Sequence, residues 1–196
     1  MNRITLIAAT TAAFVSLAEV RAIDVVDGQT NVLLDTELLA SAAMLDLSGV
    51  SDDVIVPGEV LGEGTVAFGI NPRDEGMAPT TFSYEAGLAS FSGTIEHIGS
   101  VFFNDDVVEV GDFSIGYDVG RVSDATGASG FFVESTTGIA AILFDLEITT
   151  PDPVASTSQL QVYGELLVSP EFAAFLLDQG LAAADLTGAD VGDAFV

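Results

Sequence analysis

The sequence predicts a mainly β protein: an antiparallel β-sandwich, jelly-roll or Ig-like, carrying two short α-helices near residues 36-45 and 170-179. Three observations point there. From Asp53 onward, apolar and polar residues alternate with the two-residue period of strands whose faces see different surroundings. Glycine, proline, asparagine and aspartate punctuate these runs at short intervals, as turns do. Helical spacing is confined to two places, whereas an α/β sheet needs a helix between most of its strands. A closed barrel is the structural alternative. An outer-membrane barrel fits less well, because a helix is expected near the end of the chain.

Taken in order, the chain starts with an address. Arg3 precedes an apolar run from Ile4 to Leu17, and Val20-Arg21-Ala22 puts small residues at the two positions a signal peptidase reads. The run falls short of the roughly 20 residues that span a bilayer, so residues 1-22 are expected to be a cleavable secretory signal peptide and not a stable membrane anchor. Residues 23-196 are then a single acidic domain, of a size that buries roughly 70% of the surface its unfolded chain exposes.

The first helix is expected from about Thr36 to Leu45, after Asp35 as cap, with Leu38, Leu39 and Ala42 on one face. Val54 to Val56 extends and stops at Pro57-Gly58. Thr65 to Ile70 is the next strand, the polar stretch Asn71 to Gly76 a loop, and Thr81 to Tyr84 extends again. The clearest alternation runs through Phe91, Gly93, Ile95, His97, Gly99, Val101 and Phe103, a phase that faces a core.

Asn104-Asp105-Asp106 is expected to turn the chain into Val107 to Val110, and Phe113, Ile115 and Tyr117 continue the meander. After a loop from Asp124 to Gly130, Phe131 to Glu134 forms a short strand that Gly138 ends. Ala140, Ile142, Phe144, Leu146 and Ile148 make an inward row. Pro151-Asp152-Pro153 to Ser158 is an exposed connection, since prolines do not sit inside a sheet. Leu160, Val162, Gly164, Leu166 and Val168 form the last long row. Ser169-Pro170-Glu171 then supplies a cap, a proline at the first helical position and an acid at the positive end of the dipole. Phe172, Phe175 and Leu176 share a face and Gly180 terminates the helix.

The surroundings of the two helices share an order. Val32-Leu33-Leu34-Asp35-Thr36-Glu37-Leu38 echoes Leu166-Leu167-Val168-Ser169-Pro170-Glu171-Phe172, and Leu-Ser-Gly or Leu-Thr-Gly turns follow at Leu47 and Leu186. The general chemistry of caps accounts for this recurrence. Read instead as a duplication, it would put a short helix at each end of the sandwich.

Composition sets the chemistry. The chain is 49% hydrophobic with thirteen Phe, enough for a core, and it has no cysteine, so neither disulfides nor a lipid-bearing thiol hold it. Of thirty acids and four arginines, Glu19, Arg3 and Arg21 leave with the leader, so twenty-nine acids face two arginines, a formal charge of −27. Such a polyanion repels nucleic acid and anionic lipid and keeps the company of cations. Its self-repulsion predicts better folding in saline or calcium-containing surroundings.

His97 is the single histidine, so a Ser-His-Asp hydrolase would have to use it with Ser92, Ser100 or Ser129, none of which lies in a nucleophile elbow. Its phase with Ile95 and Val101 marks a hydrogen-bonded structural residue. One imidazole and no thiolate leave too few ligands for zinc or copper. Calcium needs only oxygens, and the densest set is Asn104, Asp105, Asp106, Glu109 and Asp112, followed by Asp185, Asp190 and Asp193 and by Asp52 with Asp53. No segment matches an EF-hand loop. A paired-carboxylate glycosidase is a further reading, although the chain has no Trp and three Tyr on which sugars would stack.

The stretches Phe91 to Val101, Val110 to Gly116, Leu143-Phe144-Asp145 and Leu167 to Ala173 resemble secreted bacterial β-rich exoproteins, some of which carry a PEP-CTERM sorting tail. The resemblance implies export and a β-rich fold and brings no catalytic residues. The chain departs from those relatives after Ala194, where neither a second hydrophobic span nor a basic tail follows.

Three functions are carried forward from the sequence. The first is an exported, non-enzymatic structural, matrix or cell-surface protein with an acidic, cation-associating surface and a capacity for self-association. The second is a calcium-assisted extracellular binding or adhesion module, and the third a secreted hydrolase. No cofactor is required by the first. Its location would be extracellular, on the cell surface or periplasmic.

Overall fold

The structure is a computed structural model that describes residues 22–196 apart from 75, 77, 86 and 89, so the predicted signal peptide, Ala22 excepted, lies outside the described residues. In chain order the elements are β1 (Ile23–Asp24), β2 (Gln29–Leu34), α1 (Thr36–Ala43), β3 (Leu47–Val50), β4 (Val66–Gly69), β5 (Ser83–Tyr84), β6 (Phe91–Ser92), β7 (Ile95–Glu96), β8 (Ser100–Phe103) and β9 (Val108–Tyr117). A 3-10 turn at Val119–Arg121 follows. Then come β10 (Phe131–Gly138), β11 (Ala141–Ile148), β12 (Val154–Ala155), β13 (Leu160–Gln161), β14 (Tyr163–Val168), α2 (Pro170–Asp178) and β15 (Asp190–Phe195). The fold is the predicted class, mainly β and antiparallel with two short helices.

The two layers are the flanks of one curled sheet. Its order is β3-β8-β9-β10-β11-β14-β15-β2-β4, with β7 also paired to β9. Phe68 of β4 meets Phe113 of β9 edge-on at 5.0 Å, although six strand steps separate them in that order. The curl is completed by a bridge between Ile70, just after β4, and His97, just after β7. Because β7 pairs with β9 at Ile95↔Ile115, the hydrogen-bonded path from β9 around to β4 returns to its start. The buried face contributes Phe68, Ile95, Val101, Phe103, Phe113, Ile115, Leu143 and Leu166 to one core.

Residue Asp112 explains how β9 serves two partners. Its backbone lies in the left-handed region at φ 47°, inside a ten-residue strand. Up to Gly111 the strand pairs with β8, and from Ser114 it pairs with β7. The bulge between them re-aims the chain, as bulges do. Gly111 is required here, because a Cβ would collide with Ser100 Oγ and press on the backbone at Gly99 O and Ser100 Cα, both 2.9 Å away.

A second bulge corrects the predicted inward row of β11. Val133 pairs with Phe144 and Glu134 with Ile142, which leaves Leu143 as the extra residue. Leu143 and Leu146 are fully buried on the core side, whereas Ile142 is half-buried. A strict two-residue alternation does not survive an inserted residue.

Both helices start where their caps lie. The Asp35 carboxylate accepts from Leu38 N at 2.9 Å, and the Ser169 hydroxyl accepts from Phe172 N at 3.0 Å. α1 stops at Ala43, two residues earlier than expected, because Met44 turns left-handed at φ 49°. The helices do not sit one at each end, as a duplication would have put them. β2 and β14 both run antiparallel to β15 between them, so they are parallel and their helices leave at the same end. Leu38 and Leu39 of α1 share a small hollow with Phe172 and Leu176 of α2. The Leu47 segment, expected as a turn, is the bulged strand β3.

A three-stranded sheet, β1-β5-β6, packs on the outside through aromatic contacts. Phe91 of β6 lies 4.8 Å from both Tyr117 and Phe131. The Tyr84 hydroxyl donates to Ser156 O at 2.7 Å and so ties this sheet to the β12–β13 hairpin.

Candidate functional site

His97 is 3% exposed and both ring nitrogens are engaged. Nδ1 lies 3.0 Å from the Phe113 carbonyl, which only accepts, so Nδ1 carries the proton. Nε2 therefore accepts from the Thr30 hydroxyl at 2.8 Å. Burial pushes the imidazole down to about 4, against a smaller opposing effect of the Phe113 carbonyl. The ring is a neutral clasp between β2, β9 and the β4–β7 bridge. No serine hydroxyl bonds to it: Ser100 donates to Glu109 at 2.7 Å and Ser129 to the Leu146 carbonyl at 2.6 Å. Beneath the clasp is an internal void of about 60 Å³ that presents only apolar surface, walled among others by Phe68, Phe113 and Leu143.

The five oxygen-bearing residues singled out for calcium have other duties. Asn104 Oδ1 accepts from Asp46 N and its Nδ2 donates to Met44 O, both at 2.9 Å, which pins the link between α1 and β3. Asp105 N donates to Ser48 Oγ at 2.8 Å. Asn104, Asp105 and Asp106 are all left-handed, with φ between 55° and 65°. That conformation suits short Asn and Asp side chains and explains the composition of the turn without a metal. Glu109 accepts from Ser100. Asp112 accepts from Gly99 N at 3.2 Å and from Thr137 Oγ1 at 2.7 Å, which holds its bulge in place. Among the described residues, no three acidic or histidine side chains converge on a point that would hold a metal ion. The hydrogen bonds and left-handed turns of this set serve local backbone needs.

Two charge arrangements were not legible as sites in the sequence. The first surrounds Arg121, whose side chain is 13% exposed. Its guanidinium grips Asp145 through Nε at 2.6 Å and Nη2 at 3.1 Å, and Glu171 through Nη1 at 2.7 Å and Nη2 at 2.9 Å. Glu171 is held below the usual carboxylate range, chiefly by its hydrogen bonds from Arg121. Phe132 lies under the guanidinium at 5.7 Å. The arrangement joins the 3-10 turn, β11 and the start of α2, and commits four of the five guanidinium N–H donors.

The second is a row of like charge. Glu147 of β11 pairs directly with Glu165 of β14, and Glu165 directly with Asp193 of β15. No hydrogen bond or ion pair among the described residues neutralises any of the three. Partial burial and, after it, the charges of Asp190, Glu147 and Asp193 raise Glu165, while burial and Asp190 raise Asp193. Carboxylates directly opposite one another on neighbouring strands oppose folding. Comparison with known proteins finds no matching family model, no similar curated protein and no similar solved structure.

Proposed function

We propose that this is an exported, non-enzymatic structural or cell-surface protein whose acidic exterior works in the company of cations. The leader argues for export, as does the resemblance to secreted β-rich exoproteins. The observation that carries the reading is the Glu147–Glu165–Asp193 row. It sets three carboxylates side by side on adjacent strands, in a chain whose two arginines from residue 22 onward are both engaged elsewhere. A fold that keeps such a row is adapted to surroundings in which mobile cations screen it, within about 10 Å at 0.1 M salt. The association is diffuse and needs no coordinated ion.

Melting curves test the reading. The midpoint of the protein from Ile23 onward rises with sodium chloride and with calcium chloride. Glu165→Gln raises the midpoint at low salt, by about 0.2–1 kcal/mol of stability, and flattens the salt response. A midpoint indifferent to both salts overturns the proposal.

A further inference from the structure

A cleft of about 540 Å³ lies over the outer face of β2 and β15, between the β1–β2 segment, the loop that joins β3 to β4, and the β12–β13 hairpin. That volume falls within the roughly 300–1,000 Å³ usual for small-molecule sites. Asn31 forms part of its wall. The residue is 1% exposed, and its Oδ1 accepts from Glu59 N at 3.1 Å. That bond fixes which end of the amide is the nitrogen. Among the described residues Nδ2 has no partner, yet no fully buried side-chain nitrogen or oxygen is left unsatisfied. The Asn31 nitrogen therefore keeps contact with the open space of the cleft. It is a donor without an acceptor, held by an otherwise buried side chain.

The acceptors stand around it. Asp27 and Glu59 line the same cleft with carboxylates that make no hydrogen bond or ion pair among the described residues. Asp24, also on the wall, is already paired with Arg73 at 3.1 Å. Gln159 adds an amide, and Val60 and Phe195 add apolar surface. A simple cation satisfies the carboxylates but has nothing to give Asn31. A hydroxyl group satisfies both, since it accepts from an amide and donates to a carboxylate.

We propose that this cleft binds a small neutral polyhydroxylated ligand, of the size of one or two sugar rings, with Asn31 as the buried donor and Asp27 and Glu59 as acceptors. This does not rest on the reading of the carboxylate row. The apolar surface of Val60 and Phe195 faces the C–H side of such a ring.

The test is a nuclear magnetic resonance titration of the protein from Ile23 onward with cellobiose, chitobiose, maltose and lactose, and separately with spermidine. At least one disaccharide shifts the Asn31 side-chain amide saturably. Asn31→Asp keeps the acceptor for Glu59 N but removes the donor, and weakens binding about tenfold, the effect of one lost hydrogen bond. Gln159→Ala, on the exposed hairpin, weakens binding as well and decides the matter if the Asn31 variant does not fold. The proposal is overturned if none of the four sugars moves the Asn31 amide at tens of millimolar, or if spermidine alone does.

Discussion

At the scale of the residue, His97 shows how one side chain is made structural. Its imidazole is held near 4 in the folded chain and titrates near 6.5 when exposed, so the folded state binds fewer protons between those values. Stability is then full above about pH 6.5 and falls as the pH drops through that window, by about 3 kcal/mol in all. Denaturant midpoints measured from pH 7.5 to 5 record this fall in the wild type and much less of it in His97→Gln; parallel curves would refute it. Asp112 gives a second prediction. Asp112→Ala loses the bonds from Gly99 N and Thr137 and leaves a Cβ residue at φ 47°, so it costs about 1–3 kcal/mol. Asp112→Asn tolerates the left-handed backbone and costs less in the same urea titration.

At the scale of the element, the arginine clamp and the carboxylate row respond to acid with opposite sign. Glu171 is depressed by Arg121, so its contribution is present above the ordinary carboxylate range and is lost as the pH falls through its folded value. Glu165 and Asp193 are raised, so they favour folding while protonated, and that contribution is lost as the pH rises through their folded values. Arg121→Gln leaves Asp145 almost buried without its partner and lowers stability by about 3 kcal/mol in chemical denaturation. Arg121→Lys recovers only part of this, because an ammonium cannot hold two carboxylates in fork geometry. The helices were legible because caps act locally: Asp35, Ser169 and Pro170 announce them from within one turn. Most strands between β4 and β14 were legible by alternation, whereas β2 and β15 were not read as strands and β3 was read as a turn. Leu143 and Asp112 broke the pattern through pairing with distant strands, and the Arg121 contacts join residues 24 and 50 positions apart. The turn acids carry two readings, since the same residue types serve left-handed backbone and metal ions alike.

At the scale of the whole molecule, the bridge between Ile70 and His97 makes the two flanks of the sheet depend on each other. Calorimetry of the protein from Ile23 onward is expected to show one transition whose measured and van't Hoff enthalpies agree, and two resolved transitions would contradict the closure. Little of this closure was visible in the chain, because β4 and β7 meet through one residue pair between two strands that are each very short. The same closure bears on how copies of the protein meet when crowded. Of the two terminal strands of the main sheet, β4 is occupied by the Ile55–Ala67 and Ile70–His97 bridges, and β3 is four residues long and bulged. Neither presents a long flat ladder on which a foreign strand would template. Concentrated preparations should therefore resist amyloid conversion, and any ordered layer they build must be joined side chain to side chain.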